Sequence, residues 1–146
     1  MTVFAIDPAR FPFIASVQCR HVDLDAQKVL SNVAFSELFE EARTRYSLDR
    51  KLKPIFDPLK RVLCRVSIEF HVEGRYPAEI SVAVGVKTVE LCGWTLLLFA
   101  FQNGVLIASC ESQFILASDE SQAELPQGLI KLLKNDLVPS LDRGTY

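Results

Sequence analysis

Two aspartates, Asp23 and Asp25, stand one residue apart ahead of a segment with helical periodicity, and Ser31 and Asn32 stand where that segment begins. A carboxylate can attack an electrophilic carbon or take a proton from water. Serine and asparagine cap helices by accepting hydrogen bonds from their first free N–H groups. By spacing alone, the aspartates read as loop carboxylates that bond their own backbone, and Ser31 or Asn32 as an N-cap.

Further carboxylates, Glu37, Glu40 and Glu41, lie on the helical segment with Arg43 and Arg45. Glu37 and Glu41 repel at four-residue spacing, and Arg45 can offset this by pairing with Glu41. Arg43 reads as an ion-pair partner. Lys60, Arg61 and Arg65 form a small basic group, either a solvated strand face or a clamp for phosphate oxygens. His21 and His71 read as surface or interface residues. Cys19, Cys64, Cys92 and Cys110 form no CxxC pair, and two histidines are too few to complete a zinc site with them. Each cysteine lies in or beside an apolar run, so buried, reduced thiols of a cytosolic protein are expected. Cys110 shares an apolar face with Leu106, Ala108, Phe114 and Leu116, which argues against a nucleophile.

These residues must be held by a chain of 146 residues, a length that suits one domain spanning 1–146. A net charge of −2 with scattered basic residues provides no field for nucleic acid or an anionic membrane. Residues 1–13 show no secretory-signal pattern, and the longest apolar run, around 96–101, is too short to span a bilayer.

Alternation predicts a first strand over 13–22, with Phe13, Ala15, Val17 and Cys19 inward. After a loop over 23–31, Phe35, Leu38, Phe39, Ala42 and Tyr46 mark the buried stripe of a long helix. Pro54 and Pro58 punctuate a loop. From Arg61 the period becomes two, with Val62, Cys64, Val66, Ile68, Phe70 and Val72 on one face. Glu73-Gly74-Arg75 reads as a turn. Ile80, Val82, Val84 and Val86 continue the alternation, and its phase slips near Thr88, the mark of a bulge. Strands over 94–101 and 105–116 flank Asn103-Gly104, a type I′ hairpin signal. Residues 125–133 read as a short helix, and the tail past Pro139 as frayed. One strand, a long helix and a four-strand meander exclude a parallel α/β fold. An antiparallel sheet curled around the helix accommodates them.

The run Asp23-Leu24-Asp25-Ala26-Gln27-Lys28-Val29-Leu30-Ser31-Asn32-Val33-Ala34-Phe35, with Glu40-Glu41-Ala42-Arg43 after it, resembles the signature of 4-hydroxybenzoyl-CoA thioesterase-like hotdog proteins. That signature runs D-x-D-x-x-G-(H/I)-V-x-N, then an aromatic residue, then E-x-A-R on the helix. The resemblance implies an α+β hotdog fold, a long central helix wrapped by a curved five-stranded antiparallel sheet. It implies an acyl-CoA thioesterase acting on an acyl-CoA or acyl-carrier thioester, with coenzyme A as part of the substrate and no metal or redox cofactor. Asp25 falls on the family's catalytic carboxylate, nucleophile or base. The backbone N–H of Asn32 falls where the family polarises the carbonyl, a site at which a helix cap and an oxyanion donor can coincide.

On this resemblance Lys28 and Ser31 flank the thioester; in the functional reading of the other candidates, Lys60, Arg61 and Arg65 clamp the coenzyme A phosphates, and Trp94, which otherwise reads as a packing residue at the start of a strand, lines the acyl pocket. Glu37, Glu40 and Glu41 are reserve carboxylates. The family's site lies between two subunits, which implies a homodimer or a dimer of dimers. Lys28 stands at the family's glycine and Val29 at its frequent histidine. A lysine there crowds the backbone beside the thioester or redirects the loop. That departure favours the alternative, a hotdog module that binds acyl-CoA or a protein partner without turnover. A hydratase ranks last, because the Asp and His spacing it needs is absent.

Overall fold

The computed structural model describes residues 6–139. The tail expected to fray past Pro139, and the first five residues of the stretch searched for a signal pattern, lie outside these.

The long helix, α1 (Asn32–Asp49), forms because its apolar residues recur on one stripe and Ser31 caps it, with the Ser31 hydroxyl accepting from the Ala34 N–H at 3.1 Å. Phe35, Leu38, Phe39, Ala42 and Tyr46 are all buried, as their spacing predicts. They pack into the concave face of a five-stranded antiparallel sheet built from β1 (Phe13–Val17), β2 (Lys60–Phe70), β3 (Ile80–Val89), β4 (Gly93–Gln102) and β5 (Val105–Ala117). Asn103 and Gly104 turn the β4–β5 hairpin with φ of 52° and 76°, the positive values a type I′ turn requires. The slip expected near Thr88 is a register shift between Val86 and Thr88.

Several expectations need correction. The first strand ends at Val17, and a single 3₁₀ turn over His21–Asp23 follows it. Pro54 does not merely punctuate a loop. It sits inside a short helix, α2 (Leu52–Phe56), near enough to its start that the missing N–H is tolerated. The terminal helix α3 runs Gln127–Asn135, with Pro126 in the cap position.

The four later strands are not a meander. The sheet order is β1-β3-β4-β5-β2, so β2 pairs with β5 and β3 with β1. The residues after Phe70 are a crossover, not a hairpin. This makes β2 an edge strand. A second correction follows from its register, which shifts between Leu63 and Arg65. Cys64 is therefore the extra residue of a β-bulge. Paired residues share a face. Arg61, Leu63, Val66, Ile68 and Phe70 pair with Leu116, Phe114, Ser112, Cys110 and Ala108 on the concave side. Val62, Arg65 and Ser67 face outward. The single face inferred from alternation is thus two half-faces, joined out of phase at Cys64. Cys64 is exposed and Cys92 half-buried, whereas Cys19 and Cys110 are buried as expected; all four are free.

The convex face has its own apolar layer. Ala83, Leu97, Phe99 and Phe101 are covered by Phe11 and Val138, and the Phe11 ring meets Phe99 edge-on at 5.4 Å. Val138 reaches this layer because the segment after α3 runs beside β3, with the Val86 N–H donating to the Asp136 carbonyl and the Val138 N–H to that of Val86. At the start of β4, a Cβ on Gly93 would lie 2.3 Å from the Phe114 carbonyl oxygen, a backbone atom of the paired strand. Gly93→Ala is expected to cost about 1–3 kcal/mol, visible as a lower denaturant midpoint with unchanged slope.

Candidate active site

The loop before α1 is a tight hairpin. Leu24 bridges Leu30, the Asp25 N–H donates to the Val29 carbonyl at 2.9 Å, and the Lys28 N–H donates to the Asp25 carbonyl at 3.0 Å. Lys28 closes it at φ 65°, in the left-handed region. This is the three-residue hairpin whose last position favours glycine. The Lys28 side chain is exposed. A lysine held in the left-handed region carries a conformational cost that glycine does not. Lys28→Gly is expected to stabilise the fold by about 1 kcal/mol, read as a raised thermal midpoint.

Asp23 is structural. It accepts from the Arg20 backbone at 2.8 Å and side chain at 2.9 Å, and its own carbonyl accepts from the Ser31 N–H. Partial burial works to raise its pKa, but the bonds from Arg20 outweigh this and leave the carboxyl below its usual range.

Asp25 differs. Its Oδ1 accepts from the backbone N–H of Gln27 at 2.8 Å and of Val29 at 3.3 Å. Among the described residues, Oδ2 has no protein donor. One oxygen fixes the carboxylate and the other is available. At the start of α1, the Ala34 N–H goes to the Ser31 hydroxyl and the Phe35 N–H to the Ser31 carbonyl. Among the described residues, the N–H groups of Asn32 and Val33 have no acceptor, as expected for the first helical positions. Asp25 and Asn32 line one cleft of about 280 Å³, floored by Leu30 and Phe35 and walled by Phe70, His71, Val72 and Glu73.

The crossover supplies that second wall. The Leu30 N–H donates to the Gly74 carbonyl at 2.9 Å, and a Cβ on Gly74 would meet Leu30 Cδ1 at 2.5 Å. The lack of a Cβ lets the Leu30 side chain sit this close to the crossover backbone. His71 Nε2 lies 3.0 Å from the Ser109 hydroxyl, and Glu73 pairs with Arg75 at 3.1 Å. Neither His71 nor Glu73 stands out as a site residue in the sequence, since only the crossover path brings them to Asp25.

The remaining candidates lie elsewhere. Ser31 acts as the helix cap. Trp94 is buried in the core and stacked on Phe114 at 5.4 Å, and among the described residues its indole N–H has no acceptor. The basic trio is split by strand alternation and by the bulge. Lys60 and Arg65 are exposed, with Arg65 on the convex side, while Arg61 turns inward and lays its guanidinium 4.9 Å from the Phe114 ring centroid. Lys60 and Arg61 line a larger groove of about 840 Å³ at the other end of α1, with Leu48, Lys51 and Phe56. Glu37 and Glu41 line a third cavity beside β1, where Glu41 accepts from Arg45 at 2.5 Å and Glu37 from Arg20 at 3.4 Å. His21 stacks edge-on against Tyr76 at 5.7 Å. Burial pushes the Cys110 thiol pKa up, consistent with an inert core cysteine. Among the described residues no three His, Cys, Asp or Glu side chains cluster as a metal site, and no helix is long and apolar enough to cross a membrane.

The chain superposes on a predicted thioesterase from Bacillus stearothermophilus with a TM-score of 0.79 at 17% identity, covering 88% of this chain and 98% of that one. The fold is the hotdog fold. A thioesterase from Thermus thermophilus complexed with coenzyme A and zinc is similar over 86% of this chain and 94% of its own, with a TM-score of 0.74 and 20% identity. A 1,4-dihydroxy-2-naphthoyl-CoA thioesterase from Synechocystis gives a TM-score of 0.75 at 17% identity, covering 84% and 96%. The sequence matches no protein-family model and no curated protein. Within the hotdog frame, the Asp25 loop and the N-terminus of the central helix form one side of the cleft, and the end of the edge strand forms the other.

Proposed function

We propose that this hotdog protein hydrolyses an acyl-CoA thioester. The observation that carries this reading is the pairing, in one cleft, of a carboxylate held by one oxygen with a helix start whose first N–H groups are free. With the thioester carbonyl against the Asn32 N–H, charge developing on its oxygen meets a donor and the positive end of a helix dipole. Asp25 Oδ2 then attacks the carbonyl carbon, giving an anhydride that water opens, or takes a proton from an attacking water. In either route the thiol of coenzyme A leaves and the free acid follows.

The same reading places two copies side by side along β2. This strand is an edge with an unpaired row of backbone groups, and Leu63, Val66 and Phe70 on its concave face are 41%, 41% and 50% exposed. Antiparallel pairing across a two-fold axis satisfies those groups and closes the assembly. It also sets the start of one β2 beside the end of the other, so Lys60 of a second copy lies near the cleft that Phe70 lines and becomes available to the coenzyme A phosphates.

The test is thiol release from a panel of short, long and aromatic acyl-CoAs. Release above the uncatalysed rate is expected for at least one class. Thermal stabilisation by acyl-CoA with no release from any of them would instead establish a binding module.

A further inference from the structure

The concave face is only half covered. Helix α1 packs over β1 and β3, whereas on the concave side of β2 Leu63, Val66 and Phe70 remain exposed and Ile68 is partly buried against the core. Arg43 lies at the boundary between the two halves. It is 7% exposed, and its guanidinium donates to the Ser112 hydroxyl at 3.0 Å, with Cys110 Sγ at 4.0 Å. Both partners are neutral. The ion pair expected for Arg43 from the sequence does not form: among the described residues no carboxylate lies within salt-bridge distance of Arg43 or of Arg61.

Arg61 approaches from the other side. Its backbone lies opposite Leu116, and its guanidinium folds back over Phe114, two residues along β5 from Ser112 and on the same face. The two cations therefore stand over neighbouring positions of one strand, about 7 Å apart along it. Burial lowers the Arg61 pKa, and the Arg43 charge lowers it further, which places the two groups within electrostatic reach. A buried cation next to a second one, with no anion between, is unfavourable unless something supplies the charge.

The position relative to the cleft indicates what supplies it. Ser112 pairs with Val66, four residues along β2 from Phe70 at the cleft. The concave path from Phe70 past Ile68 to Val66 is apolar, and four residues of strand span about 13 Å. An acyl chain whose thioester sits at Asp25 and which lies along this path ends between Arg43 and Arg61.

We infer that Arg43 and Arg61 form an anion subsite at the far end of the acyl path, and that the preferred acyl group carries a terminal carboxylate. This rests on the proposed thioester hydrolysis for its chemistry, but the subsite can be tested without turnover. An ω-carboxyacyl chain places its apolar carbons on Ile68 and Val66 and its carboxylate between two guanidinium groups, a charge-assisted geometry arginine suits.

The experiment compares ω-carboxyacyl-CoAs, from succinyl to hexadecanedioyl, with neutral acyl-CoAs of equal carbon number. A kcat/KM ratio favouring the carboxylated member by at least tenfold is expected at one chain length, and Arg61→Gln should bring that ratio close to one. Arg61 is the position to change first, because Arg43 is buried and its replacement risks the fold. Wild type that hydrolyses neutral chains as well as carboxylated ones at every length overturns the inference and leaves the thioesterase reading standing. If no thioester is cleaved, free sebacate and decanoate are compared by thermal shift. Stabilisation by sebacate beyond decanoate, lost in Arg61→Gln, supports the subsite even so; equal shifts overturn it. A variant that elutes at half the mass of the wild type overturns it as well, because a carboxylate of a second copy would then be the anion.

Discussion

Asp25→Asn is expected to lower kcat for thioester hydrolysis by about 10²–10⁴, the usual contribution of a positioned acid–base group, while leaving KM within a few-fold and the melting temperature nearly unchanged. The separation of effects follows from the two oxygens. The amide oxygen of asparagine can still accept from the Gln27 and Val29 N–H groups, so the hairpin keeps its shape. The other position becomes an NH₂, which can neither attack a carbonyl nor take a proton from water. Steady-state kinetics with a thiol-reactive dye measures the first effect and differential scanning fluorimetry the second. Full activity in the variant would move the chemistry to Glu73, the other carboxylate of the cleft. A large fall in melting temperature would show that Asp25 serves the loop and not the reaction.

Asp136→Ala should be the most destabilising single change among those considered, by about 3–5 kcal/mol, the range for breaking a buried ion pair from one side. Asp136 is 7% exposed. Its Oδ2 accepts from the Tyr46 hydroxyl and from Arg50 Nε, both at 2.7 Å. Arg50 also donates to the Pro12 carbonyl at 3.0 Å and stacks near the rings of Tyr46 and Phe13. One carboxylate thus ties the end of α1, the lead-in to β1 and the segment after α3. Burial and the neighbouring Asp136 charge hold the Tyr46 phenol protonated well above its usual range. Truncation leaves a buried phenol without its acceptor and a half-buried guanidinium whose remaining carboxylate partner is the exposed Asp49. Tyr46→Phe, which keeps the ring and removes one hydrogen bond, should cost only about 1 kcal/mol. Urea unfolding of both variants checks the order, and equal losses would refute this account of the network.

The helical stripe from Phe35 to Tyr46 and the Ser31 cap could be read from the sequence because both are local: spacing fixes the first and residue chemistry the second. The same holds for the Asn103-Gly104 hairpin and the slip near Thr88. Strand order was not legible, because alternation reports which face a residue takes and says nothing of which strand lies alongside. β2 therefore passed as the first strand of a meander, and the crossover that carries His71 and Glu73 to the cleft passed as a turn. On the site side, Asp25 and Asn32 were found through a motif, and they do share a cleft. Lys60, Arg61 and Arg65 group by proximity along the chain, but strand alternation separates Lys60 from Arg61, and the bulge at Cys64 separates Arg61 from Arg65. Trp94 reads from the sequence as a packing residue or a pocket wall, and spacing alone does not choose between them; in the structure it is buried. Its burial depends on Phe114, a residue 20 positions later that only the β4–β5 register brings alongside.

The bulge at Cys64 bears on assembly as well as on facing. A flat, regular edge as long as β2 would accept any extended chain and could go on adding strands without end, the route by which sheets become fibres. An extra residue interrupts the hydrogen-bonding row and sharpens the local twist. A bulged edge suits a flat strand poorly, and a second copy of this chain carries the same irregularity. In the proposed pairing of two copies, Cys64 thus acts as a stop: the edge is closed once by its own kind and offers poor footing to a third strand.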